Sequence, residues 1–143
     1  MSSTNTAETI LKLLPLLNKK FIRSMNLELR TILTSMQINV LVVLVEKKAT
    51  MTELSNEILI PKQQMTPLID KLVSEGFVQR EYDAIDRRII RISITPLGLD
   101  ILVKIKEKAL AVLETKLKKL DQNDLLCLNK ALTDICKIIN KIT

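Results

Sequence analysis

Residues 61–98 read PKQQMTPLIDKLVSEGFVQREYDAIDRRIIRISITPLG, and the pattern within them changes twice. Met65, Leu68, Ile69, Leu72 and Val73 recur at three and four residues, the spacing of one helical face. Pro61 opens that pattern, and Gly76 supplies the left-handed stop that ends it. Two runs rich in β-formers follow, Phe77 to Tyr82 and Ile89 to Ile94, separated by the polar turn Asp83 to Arg88. Helix, tight stop and hairpin thus follow one another without a linker. The hairpin tip carries Arg87 and Arg88, with Asp83 and Asp86 just before them.

A helix that leads at once into an arginine-tipped hairpin has the layout of a winged helix-turn-helix. In that arrangement the helix enters a major groove and the tip reaches the neighbouring minor groove. The run Asp83-Ala84-Ile85-Asp86-Arg87-Arg88, followed by Ile94-Thr95-Pro96-Leu97-Gly98, resembles the D-x-x-D-x-R…L-T-x-x-G wing of the MarR family of bacterial transcription regulators. Ile94 stands where that motif has Leu. The resemblance extends to an apolar first helix, Thr34-Ser35-Met36-Gln37 opening a second, Glu53-Leu54-Ser55 in a third, and two long C-terminal helices. It implies a mainly α fold with a small β-hairpin wing, in one domain over residues 1–143. A winged helix-turn-helix lobe would occupy 34–98, and a helical dimerisation region 1–33 and 99–143.

Composition agrees with that class. A chain of 143 residues suffices for one well-packed domain. Apolar residues at 47% argue against disorder, and only two glycines and four prolines favour helices over loops. The longest apolar run, Val40 to Val45, is far too short for a membrane span, and MSSTNTAETI lacks the features of a secretion signal. The expected location is the cytoplasm, with no membrane partner. The net charge of +6 says less than it suggests, because residues 50–98 hold six Lys/Arg against seven acids. The lobe's case rests on where Lys62, Arg80, Arg87, Arg88 and Arg91 sit.

No histidine is present, and the two cysteines are nine residues apart, so neither a zinc-finger spacing nor a Ser-His-Asp or Cys-His catalytic set exists. No catalytic residue, metal ligand or cofactor is expected. Phe21, Phe77 and Tyr82 are the only aromatics, too scattered to stack single-stranded bases, which leaves duplex DNA as the nucleic-acid partner.

Along the chain, the first helix is expected from about Glu8 to Arg30, with Pro15 either kinking it or marking its true start. Thr34 to Gln37 reads as a capping box. The INVLVVLV that follows suits a buried strand or a buried helix by periodicity alone. The cap and the family resemblance favour a helix, Ser35 to Lys48. Thr50-Met51 reads as a short strand, with Thr52 capping a helix from Glu53 to Ile58. Thr95-Pro96 starts a long helix reaching Leu120, and Asp121 caps the last one. In that last helix Leu125, Leu128, Leu132, Ile135, Ile139 and Ile142 form a narrow seam, read as a homodimer interface; the alternative is packing onto its own subunit.

The residues expected to contact DNA are Lys62, Gln63, Gln64 and Thr66 on the recognition helix and Arg87 and Arg88 on the wing. Gln pairs with adenine through two bonds and Lys with guanine, while the Arg fork suits the negative potential of a narrow minor groove. Asp86 resembles the family aspartate that holds the arginine's geometry. The alternative readings are a polar helix start and an exposed loop ion pair. Two positions depart from the family pattern. Pro61 replaces a capping Ser or Asp, and Pro67 stands where Arg is frequent. Met65-Thr66-Pro67-Leu68 is similar to the hydroperoxide-sensing branch. Pro67 either bends the helix or frees a carbonyl. Cys127 and Cys136, about 900° and ~13 Å apart on one helix, cannot bridge within a chain. They are read as buried structural cysteines, an intersubunit bridge being the alternative.

The resemblance further implies a homodimeric repressor or activator on a pseudo-palindromic operator. It also implies a small anionic or phenolic effector between the lobe and the dimer helices, with Met36, Arg30 and Lys20 as loose candidates. A competing reading, kept alive by the lobe's net charge of −1, is a winged helix that docks a protein and has dropped DNA. Paired carboxylates at Asp83/Asp86 or Asp121/Asp124 have ready turn and cap explanations, so an enzyme is not expected.

Overall fold

The computed structural model describes residues 2–142. The chain begins with α1 (Ser3–Leu17), runs through a π-helical segment (Asn18–Ile22) into α2 (Arg23–Leu29), and turns into α3 (Ser35–Glu46). The short β1 (Ala49–Thr50) leads to α4 (Met51–Ile58) and α5 (Lys62–Ser74). The hairpin β2 (Val78–Tyr82) and β3 (Ile90–Ile94) follows, then the long α6 (Pro96–Leu117) and α7 (Gln122–Ile139). The small sheet has the order β1-β3-β2, all antiparallel, with Val78 opposite Ile94, Tyr82 opposite Ile90, and Ala49 opposite Ile92.

Local chemistry sets most boundaries. The Thr34 hydroxyl accepts from the Gln37 amide at 3.2 Å, while the Gln37 side chain accepts from the Thr34 amide at 2.9 Å. That reciprocal box satisfies a buried glutamine and starts α3 as a helix, whose Val40, Leu41 and Leu44 enter the core. The third helix begins earlier than its sequence suggests. Thr50, not Thr52, is its cap, accepting from the Glu53 amide at 3.2 Å, so the strand ends at Thr50. The first helix also starts earlier, at Ser3, because Ser2 caps it. Pro15 lies inside that helix rather than at its start. Its missing N–H and ring precede the π-helical turn at 18–22, the widened ladder expected where the i→i−4 register is disturbed.

The core of the lobe is built by Val40, Leu41, Leu44, Leu54, Met65, Ile69, Leu72, Val78 and Ile92. At the base of the hairpin, Thr95 accepts from the Gly98 amide at 3.1 Å and donates to the Gly76 carbonyl at 2.6 Å. One threonine thus caps α6 and pins it to the end of α5. Gly98 packs so closely that a Cβ there would stand 2.2 Å from the Phe77 carbonyl oxygen. Close backbone approach is why the T-x-x-G spacing needs glycine.

The terminal helices are different. Neither α1 nor α7 contains a buried residue, and α7 packs extensively on no other element. Within the chain α6 packs against α2 and α3. No helix among the described residues is long and apolar enough to cross a membrane.

Candidate nucleic-acid interface

Recognition-helix residues are placed by their neighbours' burial. Met65, Ile69 and Leu72 are fully buried, which turns Gln63, Gln64 and Thr66 outward, with Lys62 exposed at the helix start. Pro61 is the N-cap residue and offers no side-chain acceptor; its carbonyl takes the amides of Gln64 and Met65. The Thr66 hydroxyl donates to the Lys62 carbonyl at 3.0 Å, so its oxygen is left as an outward acceptor rather than a free donor. Pro67 sits inside an uninterrupted α5 on its exposed face. The helix therefore continues past it, and the Gln63 carbonyl is left without its usual N–H partner.

The wing is braced from within. Asp83 accepts the amides of Ile85 and Asp86 at 3.1 and 2.9 Å through one oxygen, and Arg91 at 2.5 Å through the other. Those amides and the Arg91 guanidinium hold its carboxyl below the usual carboxylate range, the Asp86 amide contributing most. Asp86 in turn receives the Arg88 fork, Nε and Nη2 at 3.1 Å each, and the Arg88 amide at 3.1 Å. Its carboxyl is lowered too, mainly by the Arg88 side chain. The hairpin closes through the Asp83 amide donating to Ile89 at 2.9 Å and the Ile89 amide donating to Asp86 at 3.0 Å. Arg88 nonetheless remains 91% exposed at its side chain. It is a cation fixed in direction yet open to solvent.

Five basic positions were expected to carry the lobe's charge, and they divide. Arg80 is ion-paired to Asp70 of α5 and Arg91 to Asp83, so both serve the architecture. Lys62 and Arg87 make no ion pair among the described residues, and Arg88 makes its pair sideways along the wing. On the back of the sheet Glu81 gathers Lys48 at 2.6 Å, Ser93 at 3.0 Å and Gln79 at 3.0 Å, which together lower its carboxyl, Lys48 foremost. Asp83 is the residue that sequence reasoning undervalued. Its signal was an aspartate two and three residues before amides in a tight turn, the Asx pattern.

Away from the lobe, Leu125 and Leu128 are half-buried while Leu132, Ile135 and Ile139 are exposed on the unpacked α7. Cys127 and Cys136 are free and exposed, which overturns the expectation that they are buried. The expectation failed because α7 packs extensively on no other element of its own chain, and nothing covers the faces that carry them. Of the loose effector candidates, Lys20 lines a cavity of about 360 Å³ with Phe21, Lys116, Leu117, Lys119 and Leu120; Arg30 and Met36 do not line it. No cluster of three or more His, Cys, Asp or Glu suited to a metal occurs among the described residues.

Residues 33–89, from the end of the α2–α3 turn through the wing, match the sequence profile of the MarR family. Over that stretch, less than half of the chain, the sequence is similar to the MarR family. Solved structures of the same fold cover nearly the whole chain. The transcriptional regulator BldR from Sulfolobus solfataricus is 22% identical with a TM-score of 0.68, covering 99% of this chain and 100% of its own. YusO from Bacillus subtilis is 19% identical with a TM-score of 0.74, covering 96% and 99%. A cysteine-to-serine mutant of MarR from E. coli, complexed with operator DNA, is 22% identical with a TM-score of 0.60, covering 94% and 99%. No curated protein sequence matches the chain.

Proposed function

We propose that this protein is a MarR-family transcription regulator that binds a pseudo-palindromic duplex as a homodimer, with residues 34–98 as the DNA lobe and residues 1–33 and 99–143 as the dimerisation region. The observation that carries the reading is the Asp86–Arg88 fork at the wing tip. An exposed guanidinium held in one direction by its neighbour, close in sequence to a polar recognition helix, is suited to a groove lined by phosphates. Lys62, Gln63, Gln64 and Thr66 would read base edges in the major groove. Arg87 would meet a phosphate and Arg88 the minor groove. Support for a second copy comes from α1 and α7, which contain no fully buried residue although Leu132, Ile135 and Ile139 form an apolar seam. Two lobes carried by that interface must stand about 34–36 Å apart to enter successive major grooves. An anionic effector that favours another spacing releases DNA by population shift, and Lys20, Lys116 and Lys119 surround a cavity able to receive one.

The discriminating experiment titrates variants against an operator and a random duplex at several salt concentrations. Arg88→Ala should weaken both by roughly 1–3 kcal/mol and flatten the salt dependence. Gln63→Ala or Gln64→Ala should relax preference at one or two positions with the salt slope nearly unchanged. Asp86→Ala removes a negative charge, so bare electrostatics predicts tighter binding, whereas loss of the brace predicts weaker binding. Tighter binding by Asp86→Ala, with Arg88→Ala no worse than Arg91→Ala, would show the wing to be an ordinary loop. The lobe's net charge of −1, with Arg80 and Arg91 paired internally, favours the protein-docking alternative, and salt-independent failure to retain any duplex would establish that reading instead.

A further inference from the structure

Ile85 is the most exposed large apolar side chain in the lobe, 98% open to solvent at the very tip of the wing. Turns of this kind favour Asn, Asp, Gly or Ser, and a β-branched residue gains nothing there from local conformation or from burial. Yet the tip is not loose. The Ile85 amide is held by Asp83 at 3.1 Å, the Asp86 amide by the same oxygen at 2.9 Å, and Arg88 by Asp86. The result is a rigid apolar point with two exposed cations, Arg87 and Arg88, immediately behind it. Ordering losses on contact are small for such a pre-formed tip.

We propose that Ile85 is a minor-groove wedge. It enters between base steps at a deformable pyrimidine–purine position flanking the recognition-helix contacts, while Arg87 holds a phosphate and Arg88 lies in the groove beside it. Apolar residues inserted in this way unstack a step and bend the duplex, and flexible steps yield most easily. Charge complementarity selects the occupant. A purely apolar partner surface would leave two desolvated guanidiniums facing it, whereas the groove supplies sugar walls for the isoleucine and phosphates for the arginines. The inference rests on the DNA-binding reading above and adds to it a residue that reads deformability rather than base edges.

The test uses the full chain and duplexes selected by the wild type, with 2-aminopurine placed at successive steps beneath the wing. Wild-type protein should raise 2-aminopurine fluorescence at one step per half-site. Ile85→Ala should abolish that rise and lower affinity about tenfold with the salt slope unchanged, since no charge is lost. Ile85→Met should retain both signals. Replacing the flank by a stiff A-tract should weaken the wild type and leave Ile85→Ala nearly unaffected. Thermal unfolding should be the same for all three proteins, because the side chain buries nothing. If the wild type binds duplex DNA but shows no fluorescence rise, and Ile85→Ala binds equally well, the wedge is overturned while the DNA-binding reading stands. An Ile85 that anchors a protein partner gives that same result. If the wild type retains no duplex at all, the DNA-binding reading fails first.

Discussion

Gly98→Ala should be among the most damaging single-methyl changes in this chain. A Cβ at Gly98 would lie 2.2 Å from the Phe77 carbonyl oxygen, 2.6 Å from Ile94 Cγ1 and 3.2 Å from the Phe77 carbonyl carbon. Ordinary carbon–oxygen approach is about 3.3 Å, so the two backbones must part by roughly 1 Å. Neither is free to do so. The Phe77 carbonyl accepts from the Thr95 amide at 3.0 Å, and Thr95 ties Gly98 to the Gly76 carbonyl. The expected loss is about 3 kcal/mol, the upper part of the overpacking range. Gly76→Ala is the comparison. Its φ of 82° penalises any side chain, but its Cβ meets only Leu97 Cδ2 at 3.4 Å, so the backbone cost of about 1–2 kcal/mol is the whole effect. Urea unfolding of both variants, read as midpoint shifts at constant m-value, gives the ranking directly. A Gly98→Ala protein within 0.5 kcal/mol of wild type, or less damaged than Gly76→Ala, would refute the close-approach argument.

Pro67→Ala restores an N–H to the unpaired Gln63 carbonyl on an exposed helix face, and should raise stability by roughly 1–3 kcal/mol in a thermal melt; a loss would mean the ring is packed. The carboxyls of Asp83, Asp86 and Glu81 are all lowered, so their contribution to wing order is present above the ordinary carboxylate range and is lost only as pH falls below it through the lowered values. With no histidine to titrate, DNA affinity at fixed ionic strength should be flat from about pH 5.5 to 8, and a step near neutrality would contradict the bracing scheme. Ending the chain at Leu120 removes the α7 seam and should give monomers or insoluble protein; a soluble dimer by light scattering would place the interface elsewhere.

Much of the lobe was legible because local chemistry there repeats what the core requires. Met65, Ile69 and Leu72 alternate at helical spacing and are the residues buried. Thr34 and Gln37 form the box their spacing suggests. Gly76 has the positive φ expected of a left-handed stop. What escaped depends on partners distant in sequence or on choices between near-equal candidates. Thr50 and Thr52 are both plausible caps, and the pairing of Ala49 with Ile92 selects Thr50. A linear reading counts Arg80 and Arg91 among the lobe's basic positions without their partners, and the sheet brings them to Asp70 and Asp83. The cysteines were misjudged because apolar periodicity in α7 signals a surface to be covered without saying by which chain. Leu59 shows a similar limit. It takes a left-handed φ of 63° in the turn before α5 with its side chain 86% exposed, where periodicity gives no hint of either.

The central claim is that two copies of this lobe read one duplex. Sequencing the DNA that the intact protein retains from a pool of random duplexes, with Arg88→Ala in parallel, tests it most directly. The account predicts a two-fold symmetric motif whose half-sites are centred about 10 base pairs, one helical turn, apart, with retention sharply reduced for Arg88→Ala. A retained pool with no symmetric motif, or one recovered equally well by Arg88→Ala, would contradict it.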